Sequence, residues 1–393
     1  MKTYRAAVAS AVALLTALAG TAGCDSVGGG GASGGGPDIV IGADLELSGA
    51  GATLGVAYRR ALELKIDQVN RQNLLGGRKV RLEVRDNRSD QNTSASNVAS
   101  LAADGSVSAL IMGACAECVT SVSSTVNQAK LPTISLALSS AVVAPAEQRR
   151  YVFKLAPNAS DDAPLMAAEL KRARATSVAL LTTKDGYGTE MRAALETELA
   201  KAKIDITDSE SLRDDDVALG ELAHRVADSK PDAVIVIALA PLPDQVSRAL
   251  RDARYHGQIF FDAAAADDLF ITGPNASAVT GALMVFTPTL VSDDIIATSP
   301  AKAARKAWFR DYASRYGTYS AFASFAADAV QLVVDAADRV SPGDREALRE
   351  ALESAQLEGL SGPIRMTAAN HSGLMPQALT TLVASGDRWR LAG

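Results

Sequence analysis

Basic residues are not in excess in this chain, and cysteine, histidine and tryptophan are scarce. Lys and Arg total 39 against 45 Asp and Glu, a formal net charge of −6. No basic stripe interleaved with aromatics stands out, so nothing here would release phosphate counterions, and nucleic acid is excluded as a partner. The three histidines, His224, His256 and His371, are scattered, and with only three cysteines they make no zinc-site spacing. There is no P-loop and no H-E-x-x-H. The acidic runs 214–216 and 293–294 read as solvated loops rather than acid–base pairs. Gly49-x-Gly51-x-x-x-Gly55 follows a strand and precedes a helix, but it is one residue longer than the dinucleotide fingerprint. These absences place binding ahead of catalysis and call for no cofactor and no metal.

What is present is an ordinary globular composition over 393 residues, 48% hydrophobic and 21% charged, enough for two domains with real cores. Lys2 and Arg5 precede an apolar stretch over 6–19 and a small-residue stretch over 20–23. That pattern reads as an export signal and is too short for a membrane span. Thr21-Ala22-Gly23-Cys24 resembles the bacterial lipobox, which implies a signal peptide over 1–23 and a lipid on Cys24 that anchors the protein to the membrane. A Gly/Ser-rich tether follows over 24–37, with no means of burying apolar surface.

From Ile39 onward strand, loop and helix alternate. The pattern predicts strands at 39–43, 79–85, 109–113 and 133–136, with helices at 54–70, 91–104 and 119–130 and Thr53 as the first N-cap, and the chain is expected to leave the first lobe at 151–155. It restarts after Ala156-Pro157-Asn158, with strands at 177–182, 204–208, 233–238 and 258–261 between helices at 162–173, 187–202, 218–229 and 244–255, and the segment 281–286 is expected to cross back. Helices at 300–316, 320–340 and 344–355 follow, then a hairpin around Ser385-Gly386-Asp387. So regular an alternation implies an α/β fold of doubly wound parallel sheets, because parallel strands need crossovers.

The stretch 110–140 is the organising one, since two successive strand ends there open toward one cleft, where ligands sit in such sheets. It contains Cys115-x-x-Cys118, which outside the cytoplasm is expected to be a short local disulfide; free thiols and a redox pair remain open.

The order of elements, with IVIGADLELSGAGATLG, ALIMGACAECVTS, LPTISLALSS, TTKDGYGTEMRAAL and PDAVIVIALAPLPDQVSRALRDARYHGQIFFD, resembles the periplasmic binding proteins of the branched-chain amino acid type. These are the type I solute-binding components of ABC importers. The resemblance implies two lobes, 38–157 with 287–361 and 158–286 with 362–393, joined by a multi-crossing hinge around a cleft. It also implies a small-molecule ligand and an importer permease as partners. Carried over position by position, it places Ser48 and Leu54 in the first cleft loop, Leu54 near the family's aromatic. Glu117 and Ala116 stand where serines usually meet a ligand carboxylate, and a carboxylate there would repel one. Ser139 and Ser140 match hydroxyl positions, Tyr187 the aromatic that closes over the ligand, and Asp262 the acid that meets a ligand ammonium. Each has a plainer reading: helix caps for the serines, solvated loops for the acids. The ligand implied is a small polar one, an amino acid, an amide or a related metabolite. A sensor component or a thiol oxidoreductase using Cys115 and Cys118 are the alternatives.

Overall fold

The computed structural model describes residues 36–212, 219–266 and 276–392, all within one compact unit. The signal segment, Cys24, the tether up to residue 35 and the acidic run 214–216 lie outside the described residues.

The first lobe is a five-stranded parallel sheet of β1 (Ile39–Leu45), β2 (Val80–Asp86), β3 (Val107–Met112), β4 (Thr133–Ser135) and β5 (Val152–Lys154), in the order β2-β1-β3-β4-β5. The apolar runs of β1 and β3 suit strands covered on both faces. Helices α2 (Gln91–Ala103) and α3 (Ala116–Gln128) cover one face through Val98, Leu101, Val119, Val122 and Val126, packed with Leu110 and Met112. Helix α1 (Ala52–Gln72) packs with the later helix Ala323–Ala337. Tyr312 and Tyr316 of the helix Pro300–Tyr316 donate to the α1 carbonyls of Ala57 and Arg60 at 3.2 and 3.1 Å.

Among the helix starts that differ from expectation, two border the cleft. Thr53 is inside α1, not its cap; Gly51 is the cap residue, and its own N–H is taken by Ser89 Oγ at 2.9 Å. Helix α3 begins at Ala116, three residues early, because Cys115 caps it, Sγ accepting from the Cys118 N–H at 3.1 Å. The cap of α2, Asp90, accepts from Thr93 N–H at 2.7 Å.

The second lobe contains β6 (Ser177–Thr183), β7 (Asp205–Leu212), β8 (Ala233–Ile237), β9 (Gln258–Phe261) and β10 (Leu283–Phe286), parallel to one another, with α4 (Ala159–Arg172), α5 (Gly186–Ala202), α6 (Leu219–Ser229) and α7 (Leu242–Asp252). The short pair β11 (Gln356–Glu358) and β12 (Pro363–Arg365) stands apart. The C-terminal hairpin β13 (Thr380–Ser385) and β14 (Arg388–Leu391) then adds antiparallel to β10, giving the order β7-β6-β8-β9-β10-β13-β14.

The chain therefore passes between the lobes at 155–158, 287–299 and 366–379. Two of these passages lie side by side: Lys154 N–H donates to the His371 carbonyl at 2.9 Å, and Gly373 N–H to the Lys154 carbonyl at 2.8 Å. Lys154 is fully buried, and its Nζ donates to the carbonyls of Ala156 and Pro157 and to Asn158 Oδ1 at 2.5, 2.7 and 2.9 Å. Burial pulls its ammonium down to about 7, against the attraction of Glu190 and Asp162.

Asp328, buried on the helix Ala323–Ala337, accepts from Leu360 N–H, Ser361 N–H and Ser361 O–H at 2.8, 2.8 and 2.6 Å, pinning the β11–β12 turn to the first lobe. Asp328→Ala strands these donors and should lower stability by on the order of 3 kcal/mol. Urea denaturation checks it: the midpoint should fall with the slope unchanged, and an unmoved midpoint would mean the turn is held by other contacts.

Candidate functional site

The carboxyl ends of β1, β3 and β4 face those of β6, β8 and β9 across a cleft of about 890 Å³, measured out to open solvent. Apolar walls come from Leu54, Tyr58, Leu136, Leu138, Leu239 and Phe322, and polar atoms from Glu46, Ser89, Glu117, Ser139, Thr183 and Asp185. No Lys, Arg or His stands in this lining among the described residues.

Glu46, the residue just past β1, sets the geometry of the first-lobe wall. It is 2% exposed, and its two carboxylate oxygens accept from the N–H groups of Cys115 and Ala114 at 3.0 and 3.1 Å, at the amino end of α3. A helix amino end holds unpaired N–H groups and the positive pole of the dipole, so it seats an anion. Asn87 Nδ2 bridges Glu46 to Asp44 at 3.3 and 3.2 Å, and Asp44 also accepts from Ser94 and Asn97. Burial raises the Glu46 carboxyl above its ordinary value while these backbone donors oppose the rise. The seat has no spare room. A Cβ at Gly113 would stand 2.1 Å from Glu46 Oε2, and one at Gly55 2.1 Å from the Glu46 carbonyl oxygen. The last glycine of Gly49-x-Gly51-x-x-x-Gly55 thus lets α1 approach the end of β1.

A second carboxylate crosses the cleft. Glu190, on α5 of the second lobe, accepts from Ser139 O–H at 2.9 Å and from Ser140 N–H at 2.9 Å in the first. Ser139 also caps the turn Ser140–Val142, accepting from Ala141 N–H at 3.2 Å, so it serves as cap and interlobe donor together. Behind the second-lobe wall, Tyr187 O–H donates to Asp262 Oδ2 at 2.7 Å. Asp262 is fully buried and its carboxyl is pushed up to about 7 by burial; Asp162 beside it is raised by burial and by the charge of Asp262.

Of the residues expected at the ligand, Leu54, Glu117, Ser139 and Tyr187 stand in the cleft wall. Ser48 does not: its O–H and N–H both turn to Asp86, at 2.7 and 3.2 Å. Ser140 lies off the wall and offers its N–H to Glu190. Asp262 sits underneath Tyr187, neither solvated nor in the wall, because the tyrosine hydroxyl reaches down to it. Cys115 and Cys118 are joined by a disulfide in the first turn of α3, with Cys115 in the wall. Asp294, of the acidic run 293–294, faces Arg388 and Arg390 at 3.8 and 3.7 Å, an ordinary surface pairing. Glu46 and Glu190 were not singled out from the sequence. The first reads as one polar residue in a loop and the second as one on the exposed side of a helix.

Two α/β lobes hinged by three passages around such a cleft define a bilobed ligand-binding protein. The periplasmic binding protein family profile matches residues 38–387, and the chain belongs to that family. Among solved structures, it superposes on an extracellular ligand-binding receptor from Rhodopseudomonas palustris HaA2 with a TM-score of 0.82, at 24% identity over 90% of this chain and 99% of that one. The leucine-binding protein LivK of Thermotoga maritima gives 0.78 at 18% identity over 90% and 98% of the two chains. The branched-chain amino acid transporter substrate-binding protein LivJ of Streptococcus pneumoniae, solved with isoleucine, gives 0.78 at 19% identity over the same shares. No curated protein matches the chain in sequence.

Gly113→Ala forces a methyl into the Glu46 carboxylate and should cost about 1–3 kcal/mol, whereas Gly105→Ala, with nothing within 4 Å, should cost far less. Thermal denaturation of the two variants decides it, and equal melting temperatures would refute the tight seat. The buried acids make a pH prediction. From about pH 4 to 7 folded Asp262 keeps a proton that the unfolded chain has released, so stability falls as pH rises through that window. Lys154 acts with the opposite sign and only above about pH 7, where the unfolded chain holds the extra proton. Asp262→Asn keeps an acceptor for Tyr187 and should make the decline between pH 4 and 7 shallower in urea titrations; an identical decline would place the titrating group elsewhere.

Proposed function

We propose that this protein is an extracytoplasmic, lipid-anchored solute-binding protein. It captures a small polar ligand between its lobes and presents it to the permease of an ABC importer. The observation that carries this reading is the cleft, walled by strand ends of both lobes and bridged by Glu190 to Ser139 and Ser140. Ligands of open parallel sheets sit at those strand ends. Family membership, and the branched-chain amino acid transporter named for the LivJ structure, support the importer role. The lipid on Cys24 would hold the protein at the membrane where a permease lies, with the tether giving it reach. Function then consists of binding coupled to a shift between open and closed forms, since a ligand touching both lobes favours the form in which both reach it. No covalent step is needed.

A thermal-shift panel of amino acids, amides, polyamines and small carboxylates on the soluble form 38–393 tests this reading. A ligand at about 100 times its Kd adds roughly 2.7 kcal/mol of stability. At least one class should raise the melting temperature, and Tyr187→Ala, which removes a wall ring, should weaken binding of that compound by about tenfold, or 1.4 kcal/mol. A panel without any shift would contradict the solute-binding reading, and unchanged affinity in Tyr187→Ala would take the ring out of the contact.

A further inference from the structure

We propose that the cleft selects an aliphatic amine that carries no carboxylate. This rests on the solute-binding reading above and narrows it to a ligand class.

A carboxylate ligand needs donors, and those at the carboxyl ends of β3 and β4 include Ala114 N–H, Cys115 N–H, Ser139 O–H and Ser140 N–H. All four already donate to protein carboxylates, the first two to Glu46 and the others to Glu190. The Glu46 seat is a built one, since Gly113 and Gly55 leave room for it and for nothing more. A ligand carboxylate entering this cleft would have to displace an internal one or turn to the first amides of α3 and α5, beside the carboxylates of Glu117 and Asp185, with no cationic side chain in the lining among the described residues.

An ammonium meets the opposite situation. The Glu117 carboxylate bonds to no described residue, and its Oε1 lies against the start of α5 across the cleft, 3.5 Å from where a Cβ on Gly186 would be. Asp185 accepts from Gly188 N–H through Oδ1 only, leaving Oδ2 for a ligand. One carboxylate comes from each lobe, so a cation between them is held by both. Leu54, Leu136, Leu138 and Leu239 provide apolar surface for an alkyl body. Repulsion of the carboxylate and attraction of the ammonium act in the same direction, which is how a site discriminates between ligands that share a skeleton.

Calorimetry on the soluble form with 3-methylbutylamine, leucine and 3-methylbutanoate, which share one alkyl body, tests the proposal, with spermidine as a second amine. An amine should bind at least tenfold more tightly than leucine, and the acid should show no measurable heat. Glu117→Gln should weaken the amine about tenfold without moving the melting temperature of the unliganded protein. Leucine or the acid binding as tightly as the better amine would overturn the proposal while leaving a solute-binding protein in place. So would an amine affinity unchanged in Glu117→Gln. Binding of neither amine would overturn it too, and the wider thermal-shift panel then decides separately whether the solute-binding reading stands.

Discussion

The carboxylate of Glu46 at the amino end of α3 is the contact on which the cleft depends. Four parts of the first lobe meet there: the end of β1 that carries it, the β3–α3 loop that donates to it, α1 brought close at Gly55, and Asn87 from the β2–α2 loop. Desolvating a carboxylate is costly unless hydrogen bonds compensate, and a helix amino end supplies them with a favourable dipole. The same contact consumes an anion site that a strand end and helix start would otherwise offer to a ligand. Stability of the lobe and the proposed ligand preference thus rest on one interaction.

The joint between the lobes works in a similar way. Glu190 takes the N–H and O–H donors at the end of β4 and links α5 to the first lobe, while Lys154 ties together the backbone of the passage from β5 to α4. The Lys154 ammonium satisfies carbonyls that a bend would leave unpaired, and Glu190 and Asp162 lie close enough to favour its charge. The link at Ser139 and Ser140 and the pin at Lys154 both belong to lobe contact, and the charge of Glu190 bears on both.

Much of the fold was legible because α/β patterning is local. The apolar run of β3, the alternation of β2 and the Ser385-Gly386-Asp387 turn each specify an element within a few residues, and the parallel sheets follow from the alternation. Helix starts were less so. Thr53 has the chemistry of a cap, yet Ser89, from a loop distant in sequence, satisfies the cap residue Gly51 instead. Leu54, Glu117 and Tyr187, in the first turns of α1, α3 and α5, and Ser139, just past β4, were placed in the cleft wall by their positions in the resemblance. Ser48 and Asp262 were misplaced because their positions depend on one partner each, Asp86 and Tyr187, 38 and 75 residues away. Glu46 and Glu190 were missed for the same reason: nothing in LELSG or GTEMR marks a carboxylate whose donors lie 68 and 50 residues off.

A crystal structure of the soluble chain, grown with whichever compound stabilises it most, tests the account most directly. The account predicts that the Ala114 and Cys115 amides still donate to Glu46, with the ligand nitrogen between Glu117 and Asp185. A ligand oxygen on those two amides, with Glu46 displaced from its seat, would contradict it.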